Sequence, residues 1–131
     1  MMTPSELGMP EKFSQWNHYQ WDAIEEVSEH LASGTKYVAS SIPVGGGKTG
    51  IGMGLGLFLR AAGMIERFAY LTPGKILQDQ IVADFSRTKV TDTRMVDMRG
   101  RDNYQCKSAN YRRTCKQMDK RCGLTNAKTL E

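Results

Sequence analysis

At 131 residues, 40% hydrophobic and 24% charged, the chain has an ordinary globular composition and the length of one domain. No apolar run approaches the roughly 20 residues that cross a bilayer, and no apolar stretch follows a basic one at the N-terminus. A membrane protein and a secreted one are therefore not expected; a cytoplasmic location is. The net charge of +4 is uneven: residues 1–84 carry 6 Lys/Arg against 9 Asp/Glu, whereas residues 85–131 carry 12 against 5. A block of net +7 suits a polyanion such as nucleic acid, and suits a merely solvated surface equally well.

In chain order, Asn17 to Ala32 fits a helix with Gln20, Ile24, Val27 and Leu31 along one side, stopped by Ser33-Gly34. Tyr37 to Ile42 reads as a short buried strand. Lys48 to Ala62 is expected to be helical and to end at Gly63. Here Gly50, Gly52, Gly54 and Gly56 alternate with Ile51, Met53, Leu55 and Leu57, which is also a strand's period. Each interior glycine costs a helix about 1 kcal/mol relative to alanine. Helix remains the expectation, because glycines at i,i+4 leave flat faces for close packing. Arg67 to Leu71 is a second expected strand, broken at Thr72-Pro73-Gly74. Lys75 to Phe85 is a third helix, with Ile76, Leu77, Ile81 and Phe85 near one face, and Thr93 to Met98 a third strand. This order predicts an α/β fold, a parallel sheet with flanking helices.

The segment Ile42-Pro-Val-Gly-Gly-Gly-Lys-Thr49 lies between a predicted strand and a predicted helix. Glycines let successive backbone N–H groups converge on an anion, and the next helix adds its unpaired N-terminal donors. Lys48 is placed to reach the terminal phosphates of a nucleotide and the Thr49 hydroxyl to ligate Mg²⁺. Val44, Gly45, Gly46 and Gly47 form the cradle. The general pattern G-x-x-x-x-G-K-[ST] asks for glycine at 42, where Ile42 stands. The loop is expected to bind ATP with Mg²⁺, Lys48 and Thr49 being its catalytic residues.

Four stretches together resemble the N-terminal end of superfamily 2 DNA helicases of the iron–sulfur group, the XPD/DinG family. Asn17-His-Tyr-Gln20 sits where that family has Arg-x-x-Gln, whose glutamine reads adenine. Ile42 to Thr49 is similar to its Ala-Pro-Thr-Gly-x-Gly-Lys-Thr loop. Tyr70-Leu-Thr-Pro-Gly-Lys-Ile-Leu-Gln-Asp-Gln80 is similar to its Leu-Thr-Pro-Thr-x-x-Leu-x-x-Gln. Arg99-Gly-Arg-Asp-Asn-Tyr-Gln-Cys106 resembles the Lys-Gly-Arg-x-Asn-Tyr-x-Cys that opens its cluster-binding insertion. Departures are Asn17 for arginine, Ile42 for alanine and Gly74 for threonine. The resemblance implies an incomplete RecA-like motor domain over residues 1–99, followed at 100–131 by the start of an iron–sulfur insertion. It implies ATP-dependent duplex unwinding by the intact protein, with single-stranded or forked DNA as partner. Gln20 becomes a candidate for adenine contact, and Thr72 and Gln80 for DNA phosphates. Tyr104, Arg112 and Arg113 become candidates for stacking on or neutralising single strands.

No Asp-Glu dipeptide occurs in the sequence, although the family's hydrolysis uses one to hold Mg²⁺ and position water. The chain is thus expected to be a helicase's N-terminal portion that holds ATP without turnover. Cys106, Cys115 and Cys122, with eight and six residues between them, lack the close Cys-x-x-Cys pairs of zinc ribbons. Arg113, Lys116 and Arg121 lie nearby to favour thiolates and offset cluster charge. The three are candidate ligands of a [4Fe–4S] cluster, the resemblance implying a fourth cysteine elsewhere; zinc and free thiols stay open. The alternative class is a non-enzymatic nucleic-acid-binding module with a Cys-bound metal. A small kinase would also use such a loop, but no lid or substrate-binding segment is discernible.

Overall fold

A computed structural model of the chain describes residues 1–85, 95–105 and 114. The chain divides into two compact units, Met1–Arg94 and Met95–Glu131. Three helices order the first: α1 (Gln20–Ala32), α2 (Lys48–Ala61) and α3 (Lys75–Phe85).

Helix α1 starts at Gln20, three residues later than its apolar period suggests. The Gln20 side-chain Oε1 accepts the Asn17 N–H at 2.9 Å, and the Gln20 N–H bonds Asn17 O at 2.9 Å, which makes a turn of residues 17–20. The buried stripe is Gln20, Trp21, Ile24 and Ser28, with Val27 and Leu31 only half-buried. Trp21 draws the stripe toward itself: its ring meets Phe58 edge-on at 5.3 Å and lies 6.2 Å from Trp16. The C-terminus closes with Gly34 N–H on Leu31 O and Thr35 N–H on His30 O, so Ser33-Gly34 is the stop its sequence promises.

Helix α2 answers the period ambiguity in favour of a helix. A methyl group on Gly54 would stand 2.5 Å from Trp16, and one on Gly56 2.5 Å from Phe68. Gly50 receives Phe13 and Gly52 receives Tyr70 in the same way. The glycines thus make two flat strips, Gly50/Gly54 under the N-terminal aromatics and Gly52/Gly56 under the 68–70 segment. Ile51, Met53, Leu57 and Leu59 are buried on the same helix. Full burial of each such side chain stabilises by about 1.5–3 kcal/mol, enough to offset the glycine penalties. Gly63 N–H on Arg60 O and Met64 N–H on Leu59 O end the helix.

Helix α3 has its expected bounds but only half its expected face. Ile81 and Phe85 are buried, whereas Ile76 is 83% exposed and Leu77 49%. Its anchor lies at the C-terminal end, where Phe85 stacks on Phe13 at 5.3 Å and Asp84 pairs with Lys12. Residues 1–16, to which the sequence reading assigns nothing, supply Pro4, Leu7 and Met9 to the core. Trp16 is tied back by its indole N–H to Met2 O at 2.7 Å. Thr3 and Glu6 cap one another here, and the Thr3 backbone N–H holds the Glu6 carboxyl below its ordinary pKa.

The expected parallel sheet is not shown. Residues 37–42 and 67–71 form no strand, and among the described residues no ladder joins them. Their alternation is nonetheless real for the second segment: Phe68 and Tyr70 are half-buried against α2 while Arg67, Ala69 and Leu71 are exposed. A side-chain period of two needs only one packed face; a strand needs neighbours for its backbone groups. Tyr37 is 90% exposed, against the buried strand expected there. Of the third expected strand, 95–98 has no regular structure and 93–94 lie outside the described residues.

In the second unit, Arg101–Asn103 forms a 3₁₀ turn closed by both the backbone N–H and the side-chain amide of Asn103 on Gly100 O. The Arg99 guanidinium pairs with Asp97 at 2.7 Å, and one isolated antiparallel bridge joins Gln105 to Thr114.

Candidate nucleotide-binding site

The loop from Pro43 to Lys48 is a tight turn feeding α2. Gly46 N–H bonds Pro43 O at 3.1 Å, and Gly45 and Gly47 take φ of 80° and 73°, the left-handed region that glycine tolerates. Gly47 is the N-cap of α2 and no side chain caps that end. The first helical bond runs from Ile51 N–H to Gly47 O, so the N–H groups of Gly47, Lys48, Thr49 and Gly50 have no intrahelical acceptor. Together with the helix dipole these donors favour an anion.

Lys48 reaches back across the loop, its Nζ 3.0 Å from Pro43 O. That carbonyl therefore takes two donors, Gly46 N–H and the ammonium. An ammonium has three N–H groups, so two remain for phosphate oxygens. Lys48 and Gly47 are exposed, Thr49 is half-buried beside them, and Val44 is 99% exposed at the loop's tip.

Gln20 ties the loop to α1. Its Nε2 donates to Gly46 O at 3.2 Å while its Oε1 is held by Asn17 N–H, and the side chain is buried. The resemblance makes Gln20 a candidate for adenine contact; the structure places it against the loop itself, and among the described residues one N–H and one lone pair of its amide are uncommitted. Tyr19 is a neighbour that sequence reasoning missed. A methyl on Gly46 would stand 2.8 Å from the Tyr19 hydroxyl, 2.8 Å from Ile42 Cγ2 and 3.0 Å from Pro43 O. Ile42, the departure from the glycine pattern, is thus one wall of the slot that only glycine fits. The only signal for Tyr19 is its place directly before Gln20. Beyond it an open groove of about 510 Å³ runs between Tyr19, Asp22, Glu26 and His30 of the α1 side and residues 38–43.

The structure therefore brings Gln20, Val44, Gly45, Gly46, Gly47, Lys48 and Thr49 together. Thr72 is half-buried before α3 and Gln80 exposed upon it. Tyr104, in the other unit, accepts the Arg99 N–H on its hydroxyl at 2.8 Å and is 38% exposed, so that hydroxyl serves the turn that precedes it. Cys106, Cys115, Cys122, Arg112 and Arg113 lie outside the described residues. Among the described residues no group of three His, Cys, Asp or Glu is arranged to hold a metal ion, and no helix is long and apolar enough to cross a membrane.

The family described as Type III restriction enzyme, res subunit (ResIII) matches residues 13–131. The chain belongs to this family, a helicase-like superfamily 2 domain of the P-loop type. No curated protein and no solved structure matches the chain.

Proposed function

We propose that the chain is the ATP-binding portion of a DNA helicase, whose loop from Pro43 to Thr49 holds the nucleotide's phosphates. The observation that supports this most is the ammonium of Lys48 drawn across a two-glycine left-handed loop, over the unpaired N–H groups of the α2 terminus. Lys48 and the loop N–H groups would hold the β- and γ-phosphates, and Thr49 would share Mg²⁺ with phosphate oxygens. Magnesium supplies charge neutralisation on the polyphosphate. The resemblance adds adenine contact by Gln20, whose free N–H and lone pair suit a base edge. It also adds DNA contact by Thr72, Gln80, Tyr104, Arg112 and Arg113.

The assignment to the iron–sulfur branch is the finer part of the proposal. It rests on the segment Arg99 to Cys106 and on the thiols of Cys106, Cys115 and Cys122. The turn built by Gly100, Asn103 and Tyr104 supports it to the extent of giving that segment a fixed shape ahead of Cys106.

Calorimetric titration with ATP and Mg²⁺ tests the site. Binding is expected, and Lys48→Ala should weaken it at least tenfold, about 1.4 kcal/mol or more, by removing a charge-assisted bond. A phosphate-release assay should show no steady turnover from the 131 residues, which contain no Asp-Glu pair. Unchanged affinity in Lys48→Ala would remove the loop from the phosphate site.

A further inference from the structure

We infer that Gln20 is a positioning residue for the phosphate loop, setting the affinity for a polyphosphate whatever base it carries. This rests on the nucleotide-binding reading above and deepens it. The resemblance gives Gln20 a base to read; the geometry gives it a prior task.

Gln20 is 8% exposed as a residue and its amide is fixed at both ends, with Oε1 on Asn17 N–H and Nε2 on Gly46 O. Exchanging the two atoms would set N–H against N–H and carbonyl against carbonyl. Its backbone is the first residue of α1, and the next side chain, Trp21, is packed in the core against Phe58. Gln20 is thus an arm on a rigid element reaching into a glycine loop. In a trans peptide the carbonyl and the following N–H point in opposite directions. The bond that draws Gly46 O toward α1 therefore directs the Gly47 N–H away from it, as a donor for an anion.

A Gly46-Gly47 peptide has no side chain of its own to choose one orientation over its flip. The Gln20 bond makes the choice. The fit is mutual, since a Cβ on Gly47 would run into Gln20 Nε2. With the arm removed, the phosphates would have to order that peptide on binding, and preorganisation would be lost. This part of the loss falls on the polyphosphate and is common to every base; an adenine contact by Gln20 would add to it for ATP alone.

The test titrates the chain with ATP, GTP and inorganic tripolyphosphate, each with Mg²⁺, for wild type, Gln20→Ala, Gln20→Glu and Lys48→Ala. Circular dichroism and tryptophan fluorescence report whether each variant is folded. Gln20→Ala is expected to weaken GTP and tripolyphosphate by about tenfold and ATP by at least as much. Gln20→Glu keeps the Asn17 contact but opposes an anionic oxygen to Gly46 O, so it should weaken all three at neutral pH. On acidification its carboxyl gains a proton to donate to Gly46 O, and its deficit relative to wild type at the same pH should close. A folded Gln20→Ala that loses affinity for ATP alone, or for none of the three, overturns the inference. If Gln20→Ala does not fold, a Gln20→Glu deficit that stays constant with pH overturns it. A wild-type chain that binds none of the three, or a Lys48→Ala chain that binds them equally well, refutes the phosphate site itself. That outcome is distinct from loss at Gln20 alone.

Discussion

Replacing Gly54 by alanine should destabilise the first unit, although alanine is the better helix former by about 1 kcal/mol. The new Cβ would stand 2.5 Å from Trp16 Cη2 and 3.1 Å from Ile24 Cδ1. Carbon atoms pack at about 3.5–4.0 Å, so the indole must withdraw by about 1 Å. It is not free to do so, because its Nε1–H is bonded to Met2 O at 2.7 Å and its ring lies 6.2 Å from Trp21. Overpacking of this kind costs about 1–3 kcal/mol, and a weakened indole bond adds roughly 1 kcal/mol. Set against the propensity gain, the net loss is about 1–3 kcal/mol. Urea unfolding followed by the two tryptophans should show a midpoint lowered by about 0.5–1.5 M at unchanged slope. In a Trp16→Ala background the same substitution should cost clearly less, since only the 3.1 Å approach to Ile24 remains. A midpoint equal to or above wild type for Gly54→Ala alone would refute the packing account, leaving α2 a helix whose glycines have no structural use.

The basic block should give salt-sensitive binding of single-stranded DNA with little sequence preference, because phosphate and stacking contacts do not read base edges. Fluorescence anisotropy between 50 and about 200 mM salt should show affinity falling by orders of magnitude; binding indifferent to salt would reduce residues 85–131 to a solubility feature. Anaerobic purification with metal analysis should find iron with the absorption of a cluster once a fourth thiolate is available to Cys106, Cys115 and Cys122. Stoichiometric zinc without iron would favour the non-enzymatic module instead.

The helices were legible because their signals are local. Gly34 and Gly63 end α1 and α2 through backbone bonds to carbonyls three residues back, and Lys48 opens α2 directly behind its loop. What the sequence concealed depends on distant partners. Ile76 and Leu77 share a helical face with Ile81, yet only the far end of α3 has Phe13 and Lys12 to pack on. Residues 37–42 have a strand's composition, but a strand is defined by its neighbours' hydrogen bonds, and no single segment encodes those. The glycine turn before α2 was readable for the opposite reason, since its pattern lies in eight consecutive residues. Gln20 was found by resemblance and given a base to read. Its bond to Gly46 O spans 26 positions and leaves no pattern along the chain.

The same distance dependence explains why an unfavourable helix follows the loop. A helix with glycine at 50, 52, 54 and 56 does not hold itself straight by its own propensity. It is held by Phe13 over Gly50, Trp16 over Gly54, and Tyr70 and Phe68 over Gly52 and Gly56. Phe13 also stacks on Phe85, so the residue that braces the first turn of α2 braces the last turn of α3 as well. Gln20 closes the set by pinning Gly46 from α1. The donors at the α2 terminus therefore have their direction set by side chains from the N-terminal segment, α1 and residues 68–70. Small glycine surfaces allow those side chains to approach the helix axis closely, and the proximity that costs the helix its propensity gives the loop a rigid base. A stronger helix former at any of the four glycines would lengthen that distance before it improved the helix.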